Sequence, residues 1–172
     1  MSTTMISKGY TLWLMPKGEI YKKLADLIKK LGSEYGGPVF EPHVTLLGDI
    51  ELPEEEMIKK TAQLVKNQKP FFVNLKQINY ENFYFRTLFV KAEITETLQT
   101  LYDRAKEIFE MDIPPFMAHL SILYGNYPQG VKGKIIQEIG RDQTATFDVS
   151  SIHLIKGGKI EEWKIIREFT FS

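Results

Sequence analysis

The sequence has no cysteine among its 172 residues, which excludes a disulfide framework, a zinc ribbon and a thiol nucleophile. It has no net charge either. Its 22 basic side chains balance 22 acidic ones, which argues against gripping a long polyanion by charge alone. No apolar run approaches the roughly 18–20 residues that a membrane span needs. Met1–Tyr10 also lacks the charged-then-apolar layout of a signal peptide. Low-complexity stretches and long linkers are missing. Histidine is scarce, with three in the chain. What is present is a globular composition, 43% apolar and 26% charged, enough for one domain with a real core. This composition suits an intracellular protein of mixed α and β structure.

Periodicity predicts the elements in order. Tyr10–Met15 reads as a strand stopped by Pro16. From Ile20 to Leu31 the apolar residues keep helical spacing, and Gly32 is placed to end that helix. A strand over His43–Ile50 follows. Pro53 with Glu54-Glu55-Glu56 then opens a helix to about Asn67, the acidic turn suiting the helix dipole better than a metal. Phe71–Tyr80 and Phe83–Glu93 read as a hairpin turned at Glu81-Asn82. Thr95 is placed to cap a helix through Phe109, and Ala118–Tyr124 reads as a strand. Gly130–Ile139 is a helix weakened by Gly130 and Gly133. Thr146–Lys156 and Trp163–Phe171 are the last strands, with the turn at Gly157-Gly158.

The order of elements repeats. Sliding the chain by 76 positions lays Leu12-Trp13-Leu14 on Leu88-Phe89-Val90, and His43-Val44-Thr45 on His119-Leu120-Ser121. The same slide lays Phe71 and Val73 on Phe147 and Val149. This predicts one bilobal domain over 1–172, built of two intertwined halves, about 10–80 and 87–156, plus a C-terminal strand.

Two of the three histidines open the same pattern, His43-Val44-Thr45-Leu46 and His119-Leu120-Ser121-Ile122. On a strand, residues i and i+2 share a face, so His43 lies beside Thr45 and His119 beside Ser121, while the apolar residues anchor the other face. Two imidazoles titrating near neutral pH supply a general base and a general acid. Two hydroxyls can donate to phosphoryl oxygens. Such a site opens a phosphodiester ring without metal or cofactor. His153 has no hydroxyl at i+2 and reads as structural or surface.

On these residues the chain resembles the two-histidine (2H) phosphoesterases. Within them it is most similar to the plant and yeast cyclic phosphodiesterase group, through Tyr10–Pro16, Gly36–His43 and His119–Gly125. The resemblance implies an α+β, bilobal, pseudo-twofold fold with two antiparallel sheets flanking a central cleft and helices on the outer faces. It implies catalysis by His43, His119, Thr45 and Ser121 with no cofactor and no metal, His119 as base and His43 as acid. The implied substrates are nucleoside 2′,3′-cyclic phosphates, opened to 2′-phosphates, and ADP-ribose 1″,2″-cyclic phosphate. Tyr124 stands where RNA-ligase-like relatives carry arginine, which suits a small nucleotide better than an RNA phosphate clamp. Phe85 and Trp13 are candidate aromatic walls of the cleft, core packing being their other reading. The expected protein is a cytoplasmic monomer without a membrane partner. An RNA-end enzyme of 2′-5′ RNA ligase type and a non-catalytic nucleotide-binding module are the alternative readings.

Overall fold

The computed structural model describes residues 5–172, so the first four residues of the Met1–Tyr10 reading lie outside it. Eight strands form one antiparallel sheet, and four α-helices pack on it, giving an α+β fold. The strands are β1 (Ile6–Leu14), β2 (Val44–Ile50), β3 (Phe71–Tyr80), β4 (Leu88–Ala92), β5 (His119–Leu123), β6 (Asp142–Val149), β7 (Ser151–Lys159) and β8 (Lys164–Thr170). The helices are α1 (Gly18–Tyr35), α2 (Glu54–Leu64), α3 (Glu96–Ile108) and α4 (Gln129–Ile139).

The sheet order is β6-β3-β4-β5-β2-β1-β7-β8. Two four-stranded halves therefore meet at the β2–β5 seam, where Val44 pairs with Leu120. The two expected sheets are joined into one by that contact. About the seam, β1 corresponds to β4 and β2 to β5, as the slide of 76 positions implies. The third match of the slide does not correspond this way. Phe71 faces Val149 and Val73 faces Phe147 across neighbouring strands of one ladder. Sequence similarity there reflects two strands covering the same core, and β3 joins β4 and β5 while β7 joins β1 and β2.

Alternation sorts the sheet's residues. Leu12, Leu14, Val44, Leu46, Leu120 and Ile122 enter the main core. They meet Leu24, Ile28 and Leu31 of α1, Met57 and Leu64 of α2, Leu101 and Ala105 of α3, and Ile135 and Ile136 of α4. All four helices thus cover one face. Trp13 and Met15 alternate to the other face and join Ile155 in a separate small cluster.

Several boundaries moved for physical reasons. Helix α1 runs through buried Gly32 and ends at Gly36, whose φ of 74° suits the left-handed cap and whose N–H donates to Gly32 O. Phe83–Arg86 is not strand; Tyr84–Arg86 forms a 3₁₀ turn, so alternation cannot assign the faces of Phe83, Tyr84 and Phe85. The strand expected over Thr146–Lys156 is two strands, β6 at one edge of the order and β7 next to the last strand at the other. Gly157 and Gly158 lie within β7 rather than in its turn. A Cβ on Gly157 would come within 2.8 Å of Gly9 O, so glycine permits the close approach to β1. The turn itself is the 3₁₀ segment Ile160–Glu162. Thr95 caps α3 as expected, its Oγ1 accepting from Leu98 N at 3.2 Å.

Candidate active site

Because the helices occupy one face, the residues that alternate away from the core converge on the other, around a cleft of about 550 Å³. His43, Thr45, His119 and Ser121 all line it, together with Trp13, Phe85 and Tyr124. Its size falls within the roughly 300–1,000 Å³ of small-molecule sites. The seam pair Val44–Leu120 sits between the two motifs and sets them side by side.

Both histidines are held in the same way. The Nδ1 of His43 contacts Glu41 O at 2.7 Å, and the Nδ1 of His119 contacts Met117 O at 2.8 Å. A carbonyl only accepts, so each neutral ring carries its proton on Nδ1 and keeps the Nε2 lone pair free. Among the described residues neither Nε2 has a hydrogen-bond partner. Each carbonyl lies two residues before its histidine, and the two arrangements are again 76 positions apart.

The aromatic surroundings break this symmetry. Trp13 stacks flat on His43, with ring centroids 3.7 Å apart and planes 10° apart. Phe89, its counterpart, meets His119 edge-on at 5.3 Å and 67°. His43 is only 6% exposed, and loss of solvation pushes its pKa down to about 4, with the Glu41 carbonyl opposing and His119 adding to the fall. Burial also lowers the His119 pKa, helped by the Arg86 charge and opposed by the Met117 carbonyl and Glu81.

The hydroxyls differ too. Ser121 Oγ donates to Phe85 O at 2.7 Å, whereas Thr45 Oγ1 makes no hydrogen bond among the described residues. Phe85 thereby serves the site with its backbone as well as its ring, which sits 6.1 Å from the Trp163 ring.

Tyr124 follows the last residue of β5, which frees it from strict alternation and turns it into the cleft. It stacks on Phe40 at 3.8 Å and meets Phe85 and Trp163 edge-on. Burial drives its pKa far above the ordinary tyrosine value, with Tyr84 adding to it, so the hydroxyl stays protonated and able to donate. Trp13 is buried by packing and also borders the cleft; its two readings are not exclusive.

Sequence reasoning missed Phe40, Phe89, Trp163 and Arg86. Phe89 was legible as the slide partner of Trp13. Trp163 reaches the cleft only through the β7–β8 turn, where its Nε1 donates to Gly158 O. His153 lies outside the cleft on β7, 9% exposed, with Nε2 3.6 Å from Glu168 and Nδ1 unpaired. No cluster of three or more metal-ligating side chains occurs among the described residues, and none of their helices is long and apolar enough to cross a membrane.

Comparison with known proteins bears on the family and the fold. A family model described as "Cyclic phosphodiesterase-like protein" matches residues 7–171. A "Cyclic phosphodiesterase" from Arabidopsis thaliana is 27% identical over 84% of this chain and 80% of its own length. A "2',3'-cyclic-nucleotide 3'-phosphodiesterase" from Kluyveromyces lactis is 25% identical over 94% of this chain and 98% of its own. The crystal structure of E. coli LigT with 3'-AMP superposes with a TM-score of 0.65 at 11% identity, covering 96% of this chain and 99% of that one. The crystal structure of a Thermus thermophilus protein, TT0787, gives 0.67 at 17% identity, covering 97% and 98%. These two likenesses concern the fold alone.

Proposed function

Since the chain belongs to the cyclic phosphodiesterase-like protein family, within the 2H phosphoesterases, and is a phosphodiesterase, we propose that it hydrolyses nucleoside 2′,3′-cyclic phosphates to 2′-phosphates without a metal. The observation that carries this reading is the matched pair of imidazoles. Each is oriented by a carbonyl two residues earlier, and each leaves its Nε2 unpaired in one cleft beside a hydroxyl.

In this reading the cyclic phosphate lies between the rings. His119, the less buried of the two, accepts a proton from the attacking water through Nε2. The new P–O bond forms as the bond from phosphorus to the 3′ oxygen breaks, and His43, protonated on Nε2, gives its proton to that leaving oxygen. The anionic phosphate favours the charged imidazole and offsets the burial that disfavours it at His43. Thr45 Oγ1 donates to a phosphoryl oxygen, and Ser121 does so by turning away from Phe85 O. Tyr124, Phe85 and Trp13 supply aromatic walls for the base or ribose. The two curated relatives named for cyclic phosphodiester hydrolysis support the substrate class.

The test is turnover of a 2′,3′-cyclic nucleotide in excess EDTA, with the product separated from its 3′-phosphate isomer. Release of the 2′-phosphate is expected. Tight binding without turnover would instead support a non-catalytic nucleotide-binding module, and activity lost to EDTA and restored by a divalent ion would support a metal mechanism.

A further inference from the structure

On the rim of the cleft stands a guanidinium that the reaction above does not use. Arg86 lines the same cavity as His119 and is 36% exposed. It is held from several sides. Its Nε donates to Glu81 Oε2 at 2.7 Å, and its guanidinium lies over the Phe83 ring at 4.6 Å. Its backbone N–H donates to Phe83 O at 2.9 Å, and its carbonyl accepts from Glu81 N at 3.1 Å.

The loop carrying it is anchored from below. Lys132 of α4 is 2% exposed, and its Nζ donates to Glu81 O and Asn82 Oδ1, each at 2.9 Å. A buried ammonium needs such partners, and here the partners belong to the segment that aims Arg86. Thr87 Oγ1 adds a hydrogen bond to Gly125 O, tying the loop to the chain just past Tyr124. An arginine fixed in this way gives up little freedom when it binds a ligand.

Its binding edge is open. Among the described residues Nη1 and Nη2 make no hydrogen bond, and these two nitrogens form the fork that matches a phosphate. Its charge reaches the cleft interior, where it pushes the His119 pKa down. The cleft lining also carries Lys8, but beside it stand Asp49 and Glu51, whose carboxylates repel a second anion near them.

We propose that Arg86 is a specificity-determining residue that binds a second phosphate, one attached to the primary hydroxyl of the ribose that bears the cyclic ester. This deepens the hydrolase reading and rests on it. The two phosphates sit on opposite ends of one ribose, so the cyclic ester reaches the motif floor while the other meets the rim. A nucleotide 5′-monophosphate and a 5′-diphosphate share this chemistry.

The test compares kcat/KM for adenosine 2′,3′-cyclic phosphate with that for its 5′-monophosphate and 5′-diphosphate forms. A gain of about tenfold is expected from the added charge-assisted contact, and the larger gain identifies which form fills the rim. Arg86→Gln should bring the ratio to about one, chiefly by raising KM for the phosphorylated forms, and Arg86→Lys should keep part of it. A ratio near one in the unsubstituted enzyme, or a ratio that Arg86→Gln leaves intact, would overturn the assignment. An equal fall for all three substrates would also overturn it, by moving the guanidinium to the cyclic phosphate. If the unsubstituted enzyme releases product from none of the three, the hydrolase reading itself fails, and this assignment with it.

Discussion

The indole of Trp13 lies flat on the imidazole of His43, 3.7 Å between centroids, so one of the two motif histidines is shielded by a ring face that the other lacks. Shielding from water disfavours the imidazolium. It accounts for a His43 pKa near 4, and the His119 pKa is also below its ordinary value. The bell-shaped profile of kcat/KM, which reports the free enzyme, should therefore peak between about pH 4 and the ordinary imidazole value of about 6.5. Trp13→Ala resolvates His43 and raises its pKa, so the acidic limb should move to higher pH. Trp13→Phe should move it less. An acidic limb unchanged in Trp13→Ala would disconnect the stack from the titration.

His43→Ala and His119→Ala should each lower turnover by about 10²–10⁴-fold, the range for losing a positioned acid or base. Thr45→Ala and Ser121→Ala should be milder, each removing one hydrogen bond to the phosphoryl group. The roles are separable with a substrate whose leaving 3′ oxygen is replaced by sulfur, which departs without protonation. That substrate should restore much of the rate to His43→Ala and little to His119→Ala. The opposite pattern would exchange acid and base, and full activity of either alanine variant, with folding verified by circular dichroism, would sink the two-histidine mechanism.

Stability should fall on acidification before the carboxylates titrate. Burial lowers the pKa values of His43, His119 and His153 in the folded chain, while unfolded histidine titrates near 6.5. Between those values the unfolded chain binds more protons. The stabilisation is present above about pH 6.5 and is lost as pH falls through the folded values. For His43 alone the shift to about 4 corresponds to on the order of 3 kcal/mol. Urea midpoints at pH 7.5 and 4.5 should differ accordingly, and less so in His43→Gln.

Tyr124→Ala should raise KM for a cyclic mononucleotide, as loss of a stacking contact worth about 1–3 kcal/mol would. Tyr124→Phe keeps the ring on Phe40 and should separate the stacking contribution from that of the hydroxyl. With zero net charge, the protein should gain little from nucleotides added beyond the first 5′ phosphate. A kcat/KM that climbs steeply with oligonucleotide length, and falls sharply with salt, would favour the RNA-end reading.

The motif residues were legible because a strand's period of two is local. His-x-hydroxyl forces both side chains onto one face, whatever surrounds the strand, and the slide of 76 positions tied His43 to His119 before any contact was known. The helices of the main core were legible for the same reason, since apolar spacing needs only the chain itself. Partner strands were not. Phe71 and Phe147 matched in sequence yet lie on neighbouring strands of one ladder, because similar burial patterns suit any core strand and strand pairing is a long-range choice. Other parts of the cleft's lining were decided by tertiary structure alone. Trp163 and Arg86 reach it from turns, where side-chain direction follows the local backbone path and not a period. The chemical difference between the two histidines was likewise invisible in the chain. Their motifs are nearly identical, and the pKa of an imidazole is set by what excludes water from it, here an indole that folding lays across His43.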